Sequence, residues 1–465
     1  MTEQSPRAMP RKSDVRMVML SSYFGTTIEY YDFLIYTAAA ALVFGKIFFG
    51  PVDPGTGTIL AFATLLAGYL ARPLGGVLFG LLGDKYGRRR ILLITLGITG
   101  AATGLIGVLP THSTIGVWAP ILLVTIRVVQ GLAVGGDWGG SVSISVETAP
   151  GERRGFVASF VNMGAPSGSV LASAMLALFG LMPEDDFLAW GWRIPFLIGT
   201  VLTVIGLVIR MRMIESPLFA QLQASGEAGQ KAAAPLRSVL TRHWRAVLIC
   251  IFGTLSASAN AGLLTSYGLT LATTTGGHSR SLALTALSVG AILQVALIPL
   301  CSHLSDRVGR RRVLLAGSAL GLVAAFPVFW MISAGSPVLL FAGYLLGLAF
   351  VQAAVYGPVA AFISEMFDTR HRYTGSSLAY QVGGTLGGGV IPLIAVALAD
   401  QHGFLPVALL TAGGFLLGLL VIPFAREGTR RDLHGDVDTS SEAASAPGVP
   451  VGPVGPATPA RQSTE

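Results

Sequence analysis

Apolar residues run through this chain in long stretches broken by short polar segments, too long and too continuously apolar for the alternating strands of a closed barrel. Twelve stretches reach the length needed to cross a bilayer, at about residues 18–45, 58–82, 91–110, 117–146, 156–181, 192–212, 246–272, 282–302, 313–334, 338–363, 374–399 and 405–425. A helix satisfies its own backbone in hydrocarbon, so the pattern predicts an all-α integral membrane protein with twelve transmembrane helices. The polar start through Arg16 leads straight into a stretch of spanning length, so the first span is expected to stay in the membrane and not to be cleaved as a signal.

The polar breaks carry a duplication. Gly80-Leu81-Leu82-Gly83-Asp84-Lys85-Tyr86-Gly87-Arg88-Arg89-Arg90, between the second and third stretches, returns as Ser302-His303-Leu304-Ser305-Asp306-Arg307-Val308-Gly309-Arg310-Arg311-Arg312 between the eighth and ninth. A second pair follows, with Glu147 and Arg153-Arg154-Gly155 echoed by Glu365 and Arg370-His371-Arg372-Tyr373-Thr374-Gly375. Such repetition predicts two pseudo-symmetric six-helix bundles, over 18–212 and 246–425. The longest break, 213–245, reads as a cytoplasmic linker. Residues 1–17 form an N-terminal tail, and 426–465, rich in Ser, Pro, Gly and Ala and lacking heptads, are predicted to be a disordered cytoplasmic tail.

Composition agrees with the pattern. Of 465 residues, 52% are hydrophobic and only 12% charged, and the mean hydropathy of +0.66 is too high for a chain dissolved in water. The net charge of +7 would suggest nucleic acid if the positive residues shared a face, but they fall in alternate loops. These are Lys85 to Arg90, Arg153 and Arg154, Arg210 to Arg245, Arg307 to Arg312, Arg370 and Arg372, and Arg426 to Arg431. The intervening loops hold little beyond His112, Glu184-Asp185-Asp186, Arg280 and Asp400. By the positive-inside rule the basic loops and both termini face the cytoplasm, and no nucleic-acid partner is implied. Cys250 and Cys301 lie alone in separate apolar stretches, which favours packing over a disulfide or a thiolate metal site. No G-x-x-x-x-G-K-[ST] run occurs, so transport by this chain would draw on a gradient. The run Gly383-Gly384 to Gly387-Gly388-Gly389 has no preceding strand and reads as close helix packing, not as a dinucleotide fingerprint.

Charges inside the membrane are the sharper clue. Glu29 and Asp32 lie at i and i+3 on one helix face, roughly 18–22 Å from the cytoplasmic edge at 1.5 Å per residue. Arg72 and Arg127 fall at similar depth in the second and fourth spans, so the four are expected to meet at the midplane. Such charges cost at least about 2.5–3.5 kcal/mol each unless paired or hydrated. One reading is a static ion-pair cluster that cements the N-terminal half, and the other is a coupling site facing a central cavity. A desolvated carboxylate gains by taking a proton and a neighbouring Arg opposes this, so moving either partner loads or releases a proton. Asp32 is the first candidate for the proton carrier and Glu29 the second, with Arg127 and Arg72 placed to pair with a substrate carboxylate. The C-terminal spans lack an obvious midplane charge and offer Asn260, Tyr267, Gln294, Gln352, Tyr356, Tyr380 and Gln381, of which Tyr267, Tyr356 and Gln381 are the preferred substrate-binding candidates by depth.

The loop Gly80 to Arg90 resembles the loop motif of the major facilitator superfamily at every defining position, and Arg127-Val128-Val129-Gln130-Gly131 is similar to that superfamily's fourth-helix motif. Further strings narrow the resemblance to its metabolite:proton symporter branch. They are Ile28-Glu29-Tyr30-Tyr31-Asp32-Phe33, Ala71-Arg72-Pro73-Leu74-Gly75-Gly76, Val134-Gly135-Gly136-Asp137-Trp138-Gly139-Gly140, Trp190-Gly191-Trp192-Arg193-Ile194-Pro195-Phe196, Glu215-Ser216-Pro217 and the loop from Ser364-Glu365 to Gly375. Asp137 stands where that branch usually has Glu, with a reach one methylene shorter. The resemblance implies a major facilitator fold, no cofactor beyond the proton as coupling ion, and proton coupling that also involves Asp137, with Gln130 beside Arg127 in the substrate set. It also implies a cytoplasmic gate made by Gly80, Asp84, Gly87, Arg88, Asp306, Gly309 and Arg310 with Glu147 and Glu365. In that gate Asp84 holds the start of helix eleven near Thr374, and Asp306 does the same less well at helix five. The plainer alternative is that Arg88, Arg89 and Arg90 only fix topology and bind anionic lipid headgroups.

These readings converge on an inner-membrane carrier that takes up a small carboxylate or zwitterion with a proton by alternating access. A proton-antiport exporter is the rival within the class, since Gly164-Ala165-Pro166-Ser167-Gly168 partly resembles the exporters' motif. A non-transporting sensor or a membrane enzyme is less well supported, because neither tail can fold into a signalling domain and no metal-ligand cluster or nucleophile–base pair is visible.

Overall fold

The computed structural model describes residues 11–50, 52–179, 181–224 and 235–429. Twelve helices in it are long and apolar enough to cross a membrane: Lys12–Ile47, Ile59–Tyr86, Arg88–Val108, Trp118–Thr148, Gly151–Phe179, Phe187–Met211, Trp244–Thr274, Arg280–Val308, Arg310–Ser333, Pro337–Glu365, Arg372–Ala399 and Leu405–Phe424, here numbered spans 1 to 12. No strand occurs among the described residues. Large apolar side chains such as Ile59, Leu74, Val201, Val323 and Leu409 point outward, as a hydrocarbon solvent allows.

Span 1 starts earlier than its hydropathy suggests. The helix begins at Lys12, inside the expected tail 1–17, where the Asp14 carboxylate accepts from the Arg11 N–H (3.1 Å) and closes the first turn. The linker region is not featureless either, because short helices occupy Pro217–Ala224 and Pro235–Arg242. The expected disordered tail lies outside the described residues from 430 onward, but Arg426 to Thr429 are placed and packed.

Packing follows the duplication. Span 2 lies against span 4 and span 1 against span 5, while span 8 lies against span 10 and span 7 against span 11. Across the halves, span 2 meets span 11 and span 5 meets span 8, which are the same pairing under exchange of the repeats. Spans 2 and 4 touch backbone to backbone: a Cβ on Gly131 would sit 2.2 Å from the carbonyl oxygen of Gly68, and one on Gly135 would sit 2.1 Å from that of Arg72. In the Gly383 to Gly389 run, Gly383 and Gly387 serve such an approach, against the Ile251 and Leu255 carbonyls of span 7, while Gly389 faces nothing within 4 Å. Residues Leu345–Gln352 of span 10 and Thr385–Val390 of span 11 are wound as π-helix, a local widening that often accompanies functional sites.

Candidate functional site

Both repeated loops turn the chain in the same way. Gly87 (φ 105°, ψ 147°) and Gly309 (φ 106°, ψ 147°) end spans 2 and 8 in a conformation that L side chains rarely adopt. Each is roofed by a carboxylate. Glu215 accepts from the Arg88 N–H (3.0 Å) and Arg89 N–H (3.2 Å) that open span 3. Glu427 accepts likewise from Arg310 (2.9 Å) and Arg311 (3.2 Å) at the start of span 9. An anion at the free N–H groups of a helix start is favoured by both hydrogen bonding and the helix dipole. For Glu427, which lies outside the spans, burial works to raise the carboxyl but is outweighed by hydrogen bonds from Thr429 and the two arginine amides, so it is held below the usual range.

The loop aspartates cap helices of the opposite half. Asp84 Oδ2 accepts from the N–H (3.1 Å) and hydroxyl (2.7 Å) of Thr374 at the start of span 11. Asp306 accepts from the N–H groups of Gly155 (2.8 Å) and Phe156 (2.9 Å) at the start of span 5. The resemblance implies a weaker hold in the second copy, yet each aspartate makes two hydrogen bonds, Asp306 to two backbone N–H groups and Asp84 to one backbone N–H and one hydroxyl. The two copies differ in which partner is small. In the first copy Gly80 and Gly83 lie against Thr374 and the Tyr373 ring, whereas in the second Gly155 supplies the gap, against Arg310, the Ser302 carbonyl and Asp306. Ser305 then accepts from Arg310 (2.8 Å).

Buried arginines tie these caps to the second repeated pair. Arg88 lies between Asp84 (3.5 Å) and Glu147 (3.4 Å) and donates to the Thr369 carbonyl (2.7 Å). Arg310 sits the same way between Asp306 (2.7 Å) and Glu365 (3.2 Å). Glu147 is also bound by Arg372 from span 11 (2.7 Å) and by the Ser216 hydroxyl. In each copy the first arginine is buried, the second half-buried and the third exposed. Contact with lipid headgroups is therefore open to Arg90 and Arg312, but not to the fully enclosed Arg88 and Arg310.

At mid-depth the four expected charges share a neighbourhood without pairing. No ion pair joins Glu29, Asp32, Arg72 and Arg127 among the described residues, so they share that neighbourhood without forming the static ion-pair cluster of the alternative reading. Arg127 lies over the Tyr36 ring (3.9 Å) and donates to Gln130; Gln130 donates to Thr103 (2.9 Å), and Thr103 donates to Asp32 Oδ2 (2.7 Å). Arg72 lies over the rings of Tyr69 (4.5 Å) and Phe33 (5.1 Å), and Phe33 also faces Arg127 (5.8 Å). Asp32 Oδ1 and Glu29 Oε2 are enclosed without a hydrogen-bond partner. Rings take the place of counter-ions here because span 1 presents Phe33 and Tyr36 where carboxylates would have to reach.

Asp137 has a different partner. Arg210, fully buried near the end of span 6, grips it at 2.6 Å and 3.3 Å, and Thr95 adds a hydrogen bond (3.0 Å). Arg210 was grouped with the basic loop Arg210 to Arg245; the structure removes it from that loop. The missed signal was a small residue opposite: a Cβ on Gly25 would lie 2.1 Å from Arg210 Nη2. Asp137→Leu is expected to cost about 3–5 kcal/mol by stranding the guanidinium, seen as a lower unfolding temperature in detergent. The pair Asp137→Leu with Arg210→Met should recover most of that loss, and a double variant as unstable as the summed singles would refute the pairing.

Above the clasped loops the halves meet through a polar and aromatic layer. Tyr380 stacks on Trp138 (3.5 Å, 5°) and shares a hydrogen bond with Tyr356 (2.8 Å) and a longer one with Tyr30 (3.5 Å). Gln381 donates to the Gly135 carbonyl (3.1 Å), and Asn162 bridges Trp138 and the Tyr356 carbonyl. Tyr267 is elsewhere, tilted against Phe329 of span 9 within the C-terminal half. Asn260 and Gln352 bond to each other (2.8 Å) in the same half.

The sequence matches the Major Facilitator Superfamily over residues 17–380 and 251–454. The chain belongs to the major facilitator superfamily. A shikimate transporter of Escherichia coli (strain K12) is 43% identical over 391 residues, 83% of this chain and 88% of its own length. The inner membrane metabolite transport protein YhjE of the same organism is 36% identical over 422 residues, 90% and 95% of the two chains. The glycine betaine/proline/ectoine/pipecolic acid transporter OusA of Dickeya dadantii is 33% identical over 444 residues, 93% and 87%. These relatives put this facilitator in the metabolite:proton symporter branch. The proton:xylose symporter XylE, in its complex with 6-bromo-6-deoxy-D-glucose, superposes with a TM-score of 0.76 at 16% identity, over 92% of this chain and 99% of that chain, which is a likeness of fold. As a multi-pass membrane protein of this superfamily, the chain carries its two repeated loops at one end and its buried charges at mid-depth.

Proposed function

We propose that the protein is a proton-coupled symporter that takes up a small organic acid or zwitterion, chemically unchanged, across the cell (inner) membrane by alternating access, with both termini cytoplasmic. The observation that carries this reading is the enclosed pair Glu29 and Asp32, each with a carboxylate oxygen lacking a hydrogen-bond partner, of which Asp32 is joined to Arg127 through Thr103 and Gln130. A buried carboxylate pays for its charge unless a proton or a cation arrives, so proton loading and substrate arrival are coupled at one place. Asp32 carries the proton, with Glu29 in support, and Arg127 and Gln130 relay the change. Arg72, held by rings and not by a carboxylate, receives the anionic end of the substrate. Tyr30 and Tyr380 stand between the halves where a bound solute is sensed by both. Asp137, gripped by Arg210, positions span 4 against span 6.

The two loop constellations form the cytoplasmic gate. Asp84, Asp306 and Arg372 each reach across the halves, so opening toward the cytoplasm must break all three sets together. Likeness to shikimate and betaine transporters supports a carboxylate-bearing substrate. The test is uptake into proteoliposomes under an imposed inward proton gradient, with labelled cyclic carboxylates run against betaine-type zwitterions. Accumulation of one class that collapses with a protonophore is expected. Export-only behaviour would replace the symport reading with antiport.

A further inference from the structure

Close to the gate, three metal-ligating side chains converge that the transport reading does not use. His243 closes the Pro235–Arg242 helix onto span 7, and Asp368 and His371 lie in the turn between spans 10 and 11. The His243 Nε2 is 3.6 Å from Asp368 Oδ2, the two imidazole rings are 5.5 Å apart, and one donor atom from each of the three residues falls within 4.8 Å of the others. The His371 N–H donates to the Asp368 carbonyl (2.9 Å), so the turn itself holds both side chains on one side. His371 Nδ1 is enclosed without a hydrogen-bond partner.

We propose that His243, Asp368 and His371 form a binding site for one divalent first-row transition-metal ion of the Zn²⁺ type. Two imidazoles and a carboxylate suit such an ion, and magnesium or calcium would demand more oxygen donors. Donors around one tetrahedral Zn²⁺ lie ~3.3 Å apart, which asks only for modest side-chain rotation in a partly exposed turn. The side chains of His243 and Asp368 are 22% and 44% exposed, which leaves an approach for the ion and a place for water as fourth ligand. The ion would clip the start of span 7 to the turn whose Thr369 carbonyl receives Arg88 and whose Arg372 reaches Glu147. Bound metal therefore steadies the closed gate.

Binding is measured on the full-length protein in detergent, stripped with chelator, by titration with Zn²⁺ alone and by visible spectroscopy with Co²⁺. One ion per chain and the intense visible bands of tetrahedral Co²⁺ are expected. His243→Ala, Asp368→Asn and His371→Ala should each weaken binding by at least the roughly 10–100-fold that a lost outer partner already costs. Binding unchanged in all three variants would locate the metal elsewhere and overturn the site. So would wild-type protein that takes up no Zn²⁺ or gives only the weak bands of octahedral Co²⁺, a result that needs no variant to fold. This outcome is independent of substrate and of the direction of transport.

Discussion

Asp32→Asn is expected to abolish proton-driven accumulation while leaving exchange of labelled for unlabelled substrate. The amide keeps the volume and still accepts from Thr103, so the packing between spans 1 and 3 is retained. It removes the charge whose neutralisation, in the proposed mechanism, links the proton to the rest of the cycle. Accumulation should fall to simple equilibration, because about 2.3 kcal/mol per 100 mV of driving force is no longer harnessed. The partner substitution Gln130→Ala, which interrupts the path from Arg127 to Thr103, should weaken coupling without erasing it. The measurement is counterflow beside gradient-driven uptake in the same vesicles. Full accumulation by Asp32→Asn would remove this residue from the coupling mechanism and shift attention to Glu29.

Glu147→Gln is expected to open the clasped end. One carboxylate there faces two enclosed guanidiniums, Arg88 of its own half and Arg372 of the other, with Ser216 on its second oxygen. Withdrawing its charge strands Arg372 and leaves Arg88 with Asp84 alone, at a cost of about 3–5 kcal/mol to the closed arrangement. Since each 1.4 kcal/mol is a tenfold change, the closed state should lose more than about a hundredfold in population relative to an opened one, where water can reach the arginines. Spin labels at exposed Lys85 and Arg307, one at the end of span 2 and one at the end of span 8, should report a longer distance in the variant. An unchanged distance distribution together with unchanged uptake would show that Glu147 cements its own half and does not gate.

The loop repeat is legible because its spacing is short-range: Asp84 and Arg88, like Asp306 and Arg310, are four apart at a helix end, and their carboxylate–guanidinium contact is nearly local. Glu215 and Glu427 were not legible as caps. Each is brought to its arginine amides by the whole length of a bundle, and nothing in the strings around them marks the target. Arg210 misled for a related reason. Hydropathy places it at a span edge, where a basic residue normally meets the cytoplasm, while the direction of its side chain depends on Asp137 and on the gap at Gly25. The same holds for the proposed metal site: Asp368 and His371 share one turn, but His243 is remote in sequence and joins them only when the linker folds against the turn before span 11.

By itself the sequence determined that the chain spans a membrane twelve times, that it is built from two related halves, and that each half carries a charged loop and the first half a set of buried charges. Length, hydropathy and repetition are properties of the covalent chain and survive without coordinates. Tertiary structure decided which charge meets which. It linked Asp32 to Arg127 by a hydrogen-bonded path and set the midplane arginines against rings, gave Asp137 to Arg210, and placed each loop aspartate on a helix start of the opposite half. The reason is physical: inside a membrane protein a buried charge is fixed by contacts a few ångströms long between helices remote in sequence, and only the packed bundle sets those distances.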